Sequence, residues 1–208
     1  VPVPDRPTME STDGISLVTE TSNRQHLLYL RVETGTGAVA TTYPDFDPVT
    51  ADQNVRQAIS HALDRALLAE VQGAAVPVLT RACSYLPEGT VGTYADPETI
   101  ANWYDPEMAK QLLRDAGYDI DNGNGPMVYF DAPTFQFGNE KEVAEVAAAM
   151  LEEVGFNVEL NVLDSSAYSE QITAGGNNRD IMLTALGCSP SLLPSFYQCD
   201  WVQANYTV

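Results

Sequence analysis

The sequence predicts an α/β domain, a sheet with helices packed against it, and three observations carry that prediction. Strand-like and helix-like stretches alternate twice between Met127 and Leu186, capped amphipathic segments precede them, and Leu27 to Glu33 is a nearly continuous apolar run.

After a Pro-rich lead, Ile15 to Thr19 and Leu27 to Glu33 read as strands, the second suited to the middle of a sheet. Thr34 to Pro48 reads as a loop. From Ala51, Val55, Ile59, Ala62, Leu63 and Ala66 recur at helical intervals, with Thr50 or Asp52 placed to cap the orphan amides. Asp64 is placed to cap a second short helix, Arg65 to Val71, which stops at Gly73. Residues 74 to 104 carry Pro77, Pro87, Gly89, Gly92 and Pro97 and read as a long surface loop. Asp105-Pro106 then opens a helix with cap first and proline at the first helical position, and Gly117 closes it. Met127 to Phe130 is a short strand, Glu140 to Val154 an amphipathic helix stopped by Gly155, and Val158, Leu160 and Val162 alternate as a half-buried strand does. A helix from Ala167 to Ala174 and a strand from Ile181 to Leu186 complete the alternation, which favours a largely parallel sheet.

Composition bounds the function. A chain of 208 residues, 44% hydrophobic and 19% charged, has enough apolar material for one continuous domain. Ten Lys and Arg against 29 Asp and Glu leave a net charge of -19, which repels phosphate backbones and anionic membrane surfaces and excludes nucleic acid as a partner. Only Lys110 and Lys141 are lysines, a bias shared by GC-rich and salt-adapted sources. No apolar stretch reaches the ~20 residues of a bilayer span. The start, Val1-Pro2-Val3-Pro4, has neither Met nor a signal sequence and reads as a piece of a longer chain.

Reacting groups are scarce. His26 and His61 are the sole imidazoles, one opening an apolar strand and the other in mid-helix, and both read as structural or surface groups. HExxH, GxSxG and GxxxxGK[ST] are all missing, so no catalytic residue, metal site or cofactor is expected. With so many carboxylates, neighbours such as Glu152-Glu153 or Asp119 and Asp121 read as solvated surface. Asp119 to Gly125 has the flavour of a calcium loop but lacks the glycine position and the distant Glu of an EF-hand, so an ordinary turn is the better reading. A carboxylate-dependent hydrolase and a sensor domain are the rival functional classes.

One cluster stands out: Asp52-Gln-Asn-Val-Arg56-Gln57-Ala58-Ile59, continuing through Ala62-Leu63-Asp64-Arg65. It resembles the signature of the family 5 extracellular solute-binding proteins, the dipeptide and oligopeptide receptors of ABC importers. Further blocks keep the family's order: Tyr29-Leu30, then Tyr104-Asp105-Pro106-Glu107 through Gly117-Tyr118, then Ala144-Glu145 through Val154-Gly155-Phe156 to Leu160, and the Tyr168 helix.

The resemblance implies a periplasmic-binding-protein-like lobe, α/β with a mixed sheet flanked by helices, in which residues 1-208 form one domain. The full protein would have two lobes closing on a peptide or other small solute and would exceed twice this length, this chain being most of the C-terminal lobe, without the first lobe and the final C-terminal segment. It also implies an ABC transporter permease as partner, export to the periplasm or cell exterior, and compatibility with a lipid anchor at the cell surface.

Expected site residues follow from the same comparison. Relatives often carry Asn where Glu33 stands, and Arg31 lies on the same strand face. The two are either a surface ion pair or cleft residues meeting a zwitterionic or acidic ligand. Where relatives carry an aromatic and a carboxylate after the late strand, this chain reads Gly187-Cys188-Ser189-Pro190-Ser191, with Pro190 at the carboxylate's place, so an amine anchor is not expected there. Cys188 is either a lining residue or, in an exported protein, the partner of Cys199 in a disulfide; Cys83 is the competing thiol.

Overall fold

The computed structural model describes residues 5–18, 24–32, 46–72, 103–134, 138–173 and 179–187. A short helix, α1 (Arg6–Glu10), is followed by strand β1 (Arg24–Leu30), then by α2 (Gln53–Ala62), α3 (Arg65–Val71) and α4 (Pro106–Asp115). Strand β2 (Met127–Pro133), helix α5 (Glu140–Glu153), strand β3 (Asn157–Leu163), helix α6 (Ser165–Thr173) and strand β4 (Ile181–Gly187) follow.

The helix starts are where the caps put them. Asp52 Oδ1 accepts from the Asn54 amide at 2.7 Å, Asp64 Oδ1 from the Ala66 amide at 2.9 Å, and Asp105 Oδ1 from the Met108 amide at 3.0 Å. Each satisfies an amide that the helix itself leaves unpaired. Asp164 does the same for α6, accepting from Ser166 and Ala167. Gly155, at φ +107°, ends α5 in a conformation that a residue with a Cβ rarely adopts and turns the chain into β3.

The four strands form one sheet in the order β1-β4-β2-β3. β2 runs parallel to both β3 and β4, whereas β1 runs antiparallel to β4, with Leu30 opposite Ile181 and Arg24 opposite Gly187. The sheet is mixed, and among the described strands β1 lies at its edge. Its run is apolar because both faces are packed: Leu28 and Leu30 join the main core, while Tyr29 packs with Tyr168 and Met182 on the other side. Residues 15–18 are not a strand. Ile15 and Val18 are 45% and 84% exposed, and among the described residues no strand pairs with them.

The main core lies between the sheet and helices α2, α4 and α5. Val128, Phe130, Ile181 and Leu183 from the strands meet Val55, Ile59, Leu113, Ala147 and Leu151 from the helices, all of them buried. The opposite face is covered by α6, whose Tyr168 hydroxyl donates to the Leu183 carbonyl oxygen. Among the described residues no helix is long and apolar enough to cross a membrane.

Candidate functional site

The Asp52–Arg65 block is a scaffold. Arg56 Nη1 donates to the carbonyl oxygens of Thr50 and Ala51, both at 2.8 Å, closing the single 3-10 turn Val49–Ala51 that leads into α2. Arg65 reaches back to Ser60, with Nη2 to Oγ at 2.9 Å, and so sets the angle between α2 and α3. His61 Nδ1 lies 2.6 Å from the Trp103 carbonyl oxygen, and its ring stacks on that indole. Both histidines are structural: His26 Nε2 lies 2.9 Å from Glu140 Oε1, a carboxylate with no exposed surface.

At the end of the sheet where β1 leaves and β4 enters stands Asp180, 1% exposed. Its Oδ1 accepts from the Val49 amide at 3.0 Å and its Oδ2 from the Tyr129 amide at 2.9 Å. Its own amide donates to the Tyr129 carbonyl and its carbonyl accepts from the Arg31 amide, each at 2.9 Å. Burial pushes the carboxyl up to about 6, against the pull of the Tyr129 and Val49 amides and the charges of Arg31 and Arg179. Four hydrogen bonds thus tie three separate segments to one residue.

Arg31 lies in this knot. It is fully buried, its guanidinium carbon is 5.6 Å from the Phe46 ring centroid, and its carbonyl oxygen accepts from Thr50 Oγ1 at 2.5 Å. Next to it Arg179 Nε meets the buried Asp131 at 3.0 Å, Nη1 meets Glu159 at 3.1 Å, and the guanidinium stands over the Tyr129 ring. Asn161 Nδ2 also donates to Asp131, at 3.1 Å. These polar groups line the sheet face away from the main core.

Arg31 directly follows Leu30, which lies opposite Ile181 at the start of β4. Glu33, Cys188, Ser189, Pro190, Ser191, Cys83 and Cys199 lie outside the described residues, as do residues 74 to 102 of the loop expected over 74 to 104. Asp119 to Gly125 forms a 3-10 turn, Ile120–Asn122, with Arg114 held on Asp121 at 2.7 Å. Among the described residues no group of three or more His, Cys, Asp or Glu side chains is placed to hold a metal ion.

Sequence reasoning passed over Asp180 and the Asp131–Arg179 pair. The signal was a lone Arg-Asp immediately before an apolar strand, which is legible only when a neighbouring strand brings its amides alongside.

Residues 1–205 match the family model described as bacterial extracellular solute-binding proteins, family 5 Middle. The chain belongs to this family. Family 5 members are binding proteins, and the sequence blocks that pointed to them map onto β1, α2 with the start of α3, α4, α5 to β3, and α6. A Brucella ovis protein named for ABC-transporter peptide binding is 33% identical over 140 residues, 64% of this chain and 24% of its own length. The oligopeptide-binding protein AppA of Bacillus subtilis is 26% identical over 208 residues, 95% of this chain and 34% of its own. Among solved structures, lactococcal OppA complexed with an endogenous peptide has the same fold over 100% of this chain and 41% of its own, at a TM-score of 0.70 and 15% identity. The structure of Bacillus subtilis AppA with a nonapeptide matches over 99% of this chain and 40% of its own, at a TM-score of 0.64 and 21% identity. The chain thus spans between 24% and 41% of the length of these relatives.

Proposed function

We propose that this chain is part of the extracellular substrate-binding component of an ABC importer, the C-terminal lobe of a receptor that captures a peptide or other small solute between two lobes. The observation that carries this reading is the family match over residues 1–205. The relatives named for peptide binding favour a peptide ligand, and the missing catalytic motifs favour capture over chemistry. The protein would be exported, deliver its ligand to a permease, and be anchored at the cell surface if lipidated.

The proposed ligand contacts are Arg31, Glu33 and the Cys188 to Ser191 segment, with Cys188–Cys199 as a disulfide. Arg31, buried behind Phe46, would act by its charge and by holding the chain that leads to Glu33.

Calorimetry with a peptide library on the full-length protein, and on this chain alone, is the test. A ligand buried between two lobes loses about half its contacts when one lobe is removed, while the cost of immobilising it stays nearly whole. Strong binding by the full-length protein and little or none by this chain is expected. Equal affinities would place the whole site within these residues and overturn the two-lobe reading.

A further inference from the structure

We propose that Asn124 is a site of spontaneous covalent modification in the folded protein, its side-chain amide displaced by the backbone nitrogen of Gly125 so that the residue becomes aspartate or isoaspartate. Two Asn-Gly pairs, Asn122-Gly123 and Asn124-Gly125, follow one another in the turn ahead of β2. Glycine favours the reaction at both, because no Cβ obstructs the approach of its nitrogen to the preceding side chain. The pairs are chemically equivalent in sequence, and the fold makes them different.

At Asn122 both the leaving group and the nucleophile are held. Its Nδ2 donates to Asp119 Oδ2 at 2.8 Å, and the Gly123 N–H donates to the Ile120 carbonyl at 3.1 Å. At Asn124 neither is held: among the described residues the exposed side chain makes no hydrogen bond, and the Gly125 N–H donates to no acceptor. The surrounding backbone is nevertheless fixed. The Asn124 amide donates to the Asp119 carbonyl at 3.0 Å, and the Gly125 carbonyl accepts from Asn157 Nδ2 at 2.9 Å. Gly125 cannot be exchanged for a slower neighbour, since a Cβ there would stand 1.7 Å from the Gly155 carbonyl oxygen. The close approach of the turn to the end of α5 therefore keeps the labile pair in place.

The step balances with water as its only co-reactant. The Gly125 nitrogen, its proton passed to solvent base, attacks Cγ of Asn124; the N–Cγ bond forms, the Cγ–Nδ2 bond breaks, and ammonia leaves with a proton from solvent. Water opens the resulting five-membered imide at Cγ to give aspartate, or at the main-chain carbonyl to give isoaspartate. No atom changes oxidation state. Either product adds a negative charge beside Asp119 and Asp121. Isoaspartate also adds a methylene to the main chain just before Pro126, whose carbonyl accepts from the Asn157 amide at 2.9 Å and pins β2 to β3.

The purified chain is incubated at mildly alkaline pH, folded or in urea, and digested with trypsin. One peptide, Asp115 to Lys141, contains both pairs. Fragmentation then locates the mass gained when NH2 is replaced by OH. In the folded chain conversion at Asn124 is expected to outpace that at Asn122 about tenfold, the factor matching one hydrogen bond of ~1.4 kcal/mol, and in urea the two rates converge. Asn124→Gln, checked as folded by circular dichroism, abolishes the main product. Equal rates in the folded chain, faster conversion at Asn122, or an unreacted Asn124 under conditions that convert it in urea would each overturn the proposal.

Discussion

Replacing Asp180 by Asn should destabilise the chain more in acid than at neutrality. Burial raises this carboxyl from an ordinary 3.8 to about 6, so the native state binds the proton more tightly than the unfolded state. The associated stability is fully present below pH 3.8 and is lost as pH rises to about 6. A shift of about two units corresponds to ~3 kcal/mol over the whole window, of which ~2 kcal/mol survives at about pH 4.5. Asparagine has the same shape and does not titrate. It keeps one oxygen for one of the two amides and turns an NH2 towards the other, so at pH ~7 the loss of one buried hydrogen bond, about 1–3 kcal/mol, is offset by relief of the burial penalty on the charge and the net change is small. At about pH 4.5 the wild-type chain additionally holds its protonation advantage, and the difference grows by ~2 kcal/mol. Urea unfolding of both proteins at the two pH values, followed by far-ultraviolet circular dichroism, measures this directly. A difference that is constant with pH, or larger at neutrality, would refute the account of Asp180 as a carboxyl whose charge is penalised by burial.

Two further outcomes test the packing and the surface. Phe130 has no exposed surface and sits in the core between sheet and helices, so Phe130→Ala should cost about 3–5 kcal/mol, read as a lower urea midpoint. The hydrogen bond from Arg114 holds the Asp121 carboxyl below its ordinary value. In Arg114→Ala the Asp121 resonance should titrate at higher pH while the melting temperature stays unchanged, since the pair is solvent-exposed; an unmoved titration would show that the pair does not persist in solution.

Much of the fold was legible in the sequence because its instructions are local. A helix start needs an acceptor two or three residues ahead of its unpaired amides, and Asp52, Asp64 and Asp105 stand at that spacing. A stop such as Gly155 needs only its own backbone freedom. The family blocks were legible for the same reason, since they consist largely of caps, stops and helix faces. Ile15 to Val18 shows the limit of local reading: β-type composition alone makes no strand, and among the described residues none pairs with this segment.

What tertiary structure decided lies in contacts between residues distant in sequence. Leu27 to Leu30 has the composition of a central strand, but only the pairing with β4 alone among the described strands puts it at the edge. Glu140 is buried where charge is costly and is met by His26 from the other side of the chain, and no spacing rule connects the two. Asp180 is an unremarked acid until Val49 and Tyr129 bring their amides to it. Sequence by itself determined where the capped helices begin, because hydrogen bonds between a side chain and amides two or three residues on settle that. The sheet's register determined which polar groups are buried together, because desolvation and charge depend on neighbours that only the folded chain supplies.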